Sequence, residues 1–209
     1  MSSLAGVTDQ YGGRGSQHNA QFYVRPEDGR VLFFPHDLDF YSSSTMALIG
    51  NSELSRMLTH PPWERTFYGH LLDRTRNGFI TEHLAPWCDQ LGALLPAQNF
   101  AAHCAFMDAR AARVQDGSSQ SIQTTYPEVD FAITTNGGED FTVSSASVTL
   151  QGTGWVDVVH IHRETDPASL TVTWQVEVPL SEGDNGVDLT ATDQWGAVVG
   201  SDGLTITRD

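Results

Sequence analysis

"DGSSQSIQTTYP", Asp116–Pro127, is small, polar and free of any hydrophobic period. Its reading as an interdomain linker divides the chain in two. Upstream, between Asn51 and Asp116, apolar side chains recur at helical spacing. Downstream there are only short β-branched and aromatic runs separated by Gly, Asn, Asp and Ser. The spacing predicts one domain over 1–116, a linker over 117–126 and a second domain over 127–209.

Working outward toward the amino terminus, Gln21–Arg25 and Arg30–Pro35 flank "PEDG", whose Pro26, Asp28 and Gly29 suit a β-hairpin turn. Helices follow. "NSELSRMLTH" opens on a capping Asn51, and "PPWERTFYGHLLDRTRNG" has Pro near its start and Gly78 past its end. A third helix begins after Thr81 and a fourth covers about Ala97–Val114, with Phe100, Cys104 and Met107 as an apolar stripe. Toward the carboxy terminus, "DFAITT", "ASVTLQG", "VDVVHIH", "LTVTWQVEVPL", "GVDLTATD" and "GLTITRD" predict a small β-sandwich of six or seven strands.

Charge excludes some functions. Of the net −15, residues 121–209 carry 14 acidic side chains against Arg163 and Arg208 alone. A phosphate backbone would be repelled there, so no nucleic-acid partner is expected. All 11 basic side chains are Arg; the sequence has no lysine. No apolar run is long enough for a membrane span, and "MSSLAGVTDQ" lacks the features of a secretory signal. Because Asp9–Asn19 already reads like the middle of a domain, an amino-terminal truncation is expected.

The stretch Gln17–Phe40, "QHNAQFYVRPEDGRVLFFPHDLDF", holds the chemistry. Asn19 precedes the hairpin; Asp37 and Asp39 follow it. Pairing of the two strands would bring an amide and a carboxylate to one edge, a set of hard oxygen donors suited to Mg²⁺. Asp37 and Asp39 alternate onto one side if the chain stays extended, and an upstream carboxylate, Asp9, could orient an attacking hydroxyl. Taken singly, each residue also reads as the ordinary polar rim of a hairpin.

"GVTDQYGGRGSQHNAQFYVRPEDGRVLFFPHDLDF" resembles the catalytic segment of the spore-coat-protein-H (CotH) family of atypical secreted kinases. "PHDLDF" at Pro35–Phe40 matches that family's "PWDLD"-like motif, with His36 in place of Trp. "NSELSRMLTHPPWERTFYGHLLDRTRNGFITEHL" and "FMDARAARV" are similar to its helical lobe, so the resemblance covers about residues 1–115. It implies Asp9 as the catalytic carboxylate and Asn19 and Asp37 as ligands of Mg²⁺ or Mn²⁺, with Asp39 supporting them. It also implies ATP and a protein acceptor as partners, and a place outside a bacterial cell or on its surface. The sequence departs from the family in offering no lysine and no phosphate-covering loop; "YGGRG" at Tyr11–Gly15 lacks the spacing of a phosphate cradle. The 209-residue polypeptide is therefore expected not to be a competent kinase. The carboxy-terminal segment from Gly152 is similar to bacterial Ig-like repeats of large secreted proteins, with Trp174 and Leu180 as core or capping residues and Asn185–Gly186 as a turn. That resemblance implies neighbouring domains of a larger protein, and leaves a non-catalytic scaffold, adhesion or carbohydrate-associated module as the alternative function.

The expected fold is thus multidomain α+β: a hairpin and helical bundle like a kinase carboxy-terminal lobe, then an all-β Ig-like sandwich. Three smaller features remain. Cys88 and Cys104 lie eight residues on either side of Pro96; two buried thiols are the commoner outcome, a disulfide the alternative. His160 and His162 share a strand face and are spaced for Zn²⁺ or Cu²⁺, but with no third ligand in view an exposed polar face is the ordinary reading. "SEGDNGVDLTATDQWG", Ser181–Gly196, is rich in oxygens but lacks the ordered spacing of a calcium loop, and reads as turns.

Overall fold

Residues 20–35, 45–163, 166–167 and 173–209 are described by the computed structural model. The chain forms two compact units, Met1–Thr125 and Tyr126–Asp209. The fold is α+β, with helices confined to the first unit apart from one short 3-10 turn.

In the first unit, β1 (Ala20–Val24) and β2 (Val31–Pro35) form the expected antiparallel ribbon. α1 (Ser52–Met57) starts at Asn51, whose side chain accepts from the backbone N–H groups of Glu53 and Leu54. α2 (Pro61–Asn77) and α3 (Thr81–Leu94) follow, then α4 (Phe100–Asp116). α2 and α4 supply the buried centre, through Tyr68, Leu71, Leu72, Cys104, Ala111 and Val114. α3 is different. It buries no residue fully and contains Pro86, which removes one intrahelical hydrogen bond. Its start is capped from a distance: Asp108 on α4 accepts from the backbone N–H (3.0 Å) and the hydroxyl of Thr81, placing a carboxylate at the helix amino terminus where it is favoured. A disulfide between Cys88 and Cys104 then ties α3 to α4. The pairing corrects the expectation of two free thiols: the turn around Pro96 folds the two helices back on each other, so positions symmetric about it meet.

The expected linker is also structured. Ser121 and Ile122 are both buried, and Ile122–Thr125 forms a short helix, α5. Tyr68 donates its hydroxyl hydrogen to the Gln120 carbonyl (3.2 Å) and accepts from the Thr125 hydroxyl (3.2 Å). Burial pushes the Tyr68 phenol above its usual pKa. Polar composition made residues 117–125 look unattached; their hydrogen bonds attach them to the first unit.

The second unit is built from two sheets. One runs in the order β4 (Phe141–Val143), β10 (Val198–Arg208), β9 (Gly183–Thr192), β6 (His160–Arg163), β7 (Asp166–Pro167). The other runs β3 (Ala132–Ile133), β5 (Ser147–Thr153), β8 (Thr173–Pro179). All pairings are antiparallel except β4 with β10. Alternate residues of both sheets meet in one apolar core, with Leu150, Trp174 and Val178 from one and Ile161, Val187, Leu189, Ala191 and Ile206 from the other. Trp174 and Leu180 are core residues, at 2% and 6% exposure. "VDVVHIH" is a strand only from His160; Val158 donates to the Trp155 carbonyl in a turn before it.

Asn185 corrects a second expectation, for it lies within β9 rather than in a turn. Its Oδ1 accepts from Ser181 N–H (2.9 Å), while Nδ2 faces the carbonyls of Ser181 (2.9 Å), Gly183 (2.9 Å) and Ile206 (3.2 Å). One amide thereby closes the β8–β9 turn and ties it to β10; the sharp bend falls to Gly183, at φ 84°. Asn185→Ala should destabilise the second unit by about 1–3 kcal/mol, since several backbone groups lose their partner at once. The midpoint of urea unfolding followed by far-UV circular dichroism checks this, and an unchanged midpoint would contradict it.

Candidate functional site

The ribbon's geometry follows from its turn. Gly29 adopts φ 69°, the left-handed conformation that a glycine takes at little cost. Backbone bonds Arg25 N–H to Arg30 carbonyl and Gly29 N–H to Arg25 carbonyl, both 2.8 Å, close the loop. Asp28 accepts from Arg25 Nε (2.8 Å) and from Arg30 N–H (3.1 Å), and its carboxylate also meets Arg30 Nε at 3.1 Å. The Arg25 guanidinium holds the Asp28 carboxyl below the usual carboxylate range. This ion pair is exposed to solvent and so contributes little stability; its effect is to fix the turn. Whatever it does contribute is present above the ordinary aspartate pKa and fades as pH falls through the lowered one.

With the turn fixed, the register runs Val24↔Val31, Tyr23↔Leu32, Phe22↔Phe33, Gln21↔Phe34 and Ala20↔Pro35. The chain therefore enters and leaves the ribbon at one end, opposite the turn. The expected site residues Asp9, Asn19, Asp37 and Asp39 lie outside the described residues. Among the described residues, no group of three or more His, Cys, Asp or Glu side chains is gathered to hold a metal ion.

Further along, the chain is held by residues that sequence reasoning passed over. Arg110, fully buried on α4, donates from Nη1 to the Met46 carbonyl at 2.5 Å. Burial, and then the neighbouring Arg113, push its pKa down to about 10, which leaves it charged at neutral pH. The Gln120 side chain accepts from the N–H groups of Leu48 (2.9 Å) and Ile49 (3.2 Å) and donates to the Ile49 carbonyl (3.4 Å). Leu48 is buried at 2% exposure. Residues 46–49, a few positions after Asp39 in sequence, are thus anchored to α4 and to the segment after it. Nothing in the sequence signalled Gln120, one polar residue in a polar run, or Arg110, one of two Arg in "FMDARAARV".

In the second unit, "SEGDNGVDLTATDQWG" is strand and turn, as its side-chain roles show: Asp184 accepts from the Thr207 hydroxyl (2.7 Å), and Asp193 from the N–H groups of Trp195 and Ala197. No helix among the described residues is long and apolar enough to cross a membrane.

No protein-family model matches the sequence, and no curated protein matches it. Among solved structures, the fibronectin(III)-like modules of Clostridium thermocellum CbhA are similar at 14% identity. The match covers 38% of this chain and 95% of that one, with a TM-score of 0.31. A superposition of that quality assigns neither fold family nor function.

Proposed function

We propose that residues 1–116 are a CotH-like kinase lobe serving metal-dependent phosphoryl transfer from ATP to a protein acceptor in the complete protein. Residues 127–209 are an Ig-like module that spaces or presents that lobe among neighbouring domains outside the cell. In this reading Asn19 and Asp37 hold Mg²⁺ or Mn²⁺, Asp39 supports them, and Asp9 orients the acceptor hydroxyl. One amide and two carboxylates are hard oxygen donors that suit these ions. When bound, the metal would offset charge on the transferring phosphoryl group.

The observation that supports this reading is the ribbon's register. Pairing Ala20 with Pro35 joins, at one end of the ribbon, the two chain segments that continue into Asn19 and Asp37. ATP as donor rests on the family resemblance. Since these 209 residues hold no lysine to grip phosphate, the purified polypeptide alone should show no robust ATP-dependent phosphorylation.

Calorimetric titration with Mg²⁺ or Mn²⁺ tests the site. The native chain should bind, and Asp37→Ala should abolish binding while leaving the far-UV spectrum unchanged. Affinity that survives the substitution removes the assignment. A second reading, a non-catalytic extracellular scaffold or carbohydrate-associated module, is favoured by the exposed apolar side chains Phe22, Val24 and Val31 on one face of the ribbon, a strip suited to covering by another domain. It expects no Asp37-dependent metal binding, so one titration separates the two.

A further inference from the structure

His160 and His162 occupy alternate positions of β6, with the fully buried Ile161 between them pointing into the core. Both imidazoles consequently stand exposed on the outer face of the sheet. Their ring centroids are 5.9 Å apart, with the planes tilted by 43°. His162 Nε2 lies 3.1 Å from the hydroxyl of Thr192, a residue of the adjacent strand β9 that is itself buried at 6% exposure.

We propose that His160 and His162 form a two-imidazole site for Zn²⁺ on the outer face of the second unit, with water completing the coordination. The distances suit it. Zn–N bonds of about 2.0–2.1 Å at a tetrahedral angle place two ring centres about 5 Å apart. Small side-chain rotations close the remaining gap. Strand geometry supplies the convergence, since neither ring can turn inward past Ile161. Thr192 supplies orientation: when His162 donates its Nε2 hydrogen to that hydroxyl, Nδ1 is left as the lone-pair donor, the arrangement in which a second hydrogen bond fixes a metal-binding imidazole.

Charge favours a cation here. Residues 121–209 hold 14 acidic side chains and two Arg, so the surrounding field raises the local cation concentration. The donor type sets the choice of ion: imidazole nitrogen suits Zn²⁺, whereas Mg²⁺ takes oxygen. Among the described residues no third His, Cys, Asp or Glu joins the pair. The site is therefore open and weaker than a closed structural zinc site, and it is independent of the metal assignment at Asp37.

The test is calorimetric titration of the 209-residue chain with ZnCl₂ in buffer containing excess Mg²⁺, which occupies oxygen-donor sites. One saturable event is expected. His160→Ala and His162→Ala should each weaken it by about tenfold or more, and the double variant should add little to either, because the two rings act as one chelate. Thr192→Val, which keeps the shape but removes the hydroxyl, should weaken binding by about tenfold. In the unsubstituted chain, the ring proton resonances of both histidines should shift together on adding Zn²⁺, a readout that does not depend on any variant folding. Absence of saturable uptake, an affinity unchanged by either histidine substitution, or a shift confined to one ring would overturn the proposal.

Discussion

Replacing Trp174 with alanine should cost the second unit about 3–5 kcal/mol, the range for deleting a buried aromatic side chain. Three separate interactions are lost. The ring sits at 2% exposure in the core between the sheets, and it stacks on Phe131 at 5.3 Å with the planes 20° apart. Its indole N–H donates to the Thr153 carbonyl at 2.8 Å. A domain of this size holds only about 5–15 kcal/mol in total, so the variant should approach the unfolding threshold.

Gly152 tests the same contact from the other side. It lies opposite Trp174 in the β5–β8 ladder, and a Cβ there would fall 2.1 Å from the indole and 2.2 Å from the Ala132 carbonyl. Gly152→Ala should therefore also destabilise the unit, by about 1–3 kcal/mol or more through overpacking. Combining it with Trp174→Ala relieves the ring clash but leaves the carbonyl clash, so the double variant should be less than additive and still worse than Trp174→Ala alone. Urea unfolding followed by far-UV circular dichroism measures all three. A loss below about 1 kcal/mol for Trp174→Ala would show that the ring is not central to the core.

The second large effect concerns the disulfide. Cys88 and Cys104 are separated by 16 residues, and for a loop of that size cross-linking contributes about 3 kcal/mol by restricting the unfolded chain. The effect should be local. α3 buries no residue fully, carries Pro86 within it, and exposes Trp87, Leu91 and Leu94. Shallow packing against α4, the Asp108 cap and the disulfide together hold it in place. Reduction, or the Cys88→Ser and Cys104→Ser pair, should lower the stability of the first unit by about 3 kcal/mol. It should also speed amide exchange in α3 well before α2 is affected. A mass increase on alkylation only after reduction would establish the bridge in solution; alkylation of both thiols without reductant would refute it.

Several elements were legible because their causes are local. "PEDG" between two apolar runs specifies a hairpin, and the turn forms with Gly29 in the left-handed region. Asn51 caps the helix it was expected to cap, and Gly78 ends the helix it follows. The change from helical period to short strands places the division of secondary structure near Pro127, and the contact boundary falls between Thr125 and Tyr126. The oxygen-donor set at Asn19, Asp37 and Asp39, with Asp9, could be listed from residue types and spacing. Those residues lie outside the described ones, so the ribbon's register is as close as the geometry comes to them.

By itself, then, the sequence determined where elements begin and end, since capping, turn chemistry and hydrophobic period each act over a few residues. Only the tertiary structure decided partnerships between distant positions. Spacing about Pro96 was compatible with thiols or a bridge until the antiparallel meeting of α3 and α4 chose the bridge. A polar run read as a linker until Gln120 was found on Leu48 and Ile49, and an Asn-Gly pair read as a turn until Asn185 was found spanning Ser181 and Ile206. For Cys88 and Cys104 the physical reason is proximity, which only the folded chain provides. For Gln120 and Asn185 it is that a polar side chain is equally content in water, and only a folded chain that removes the water makes one particular partner necessary.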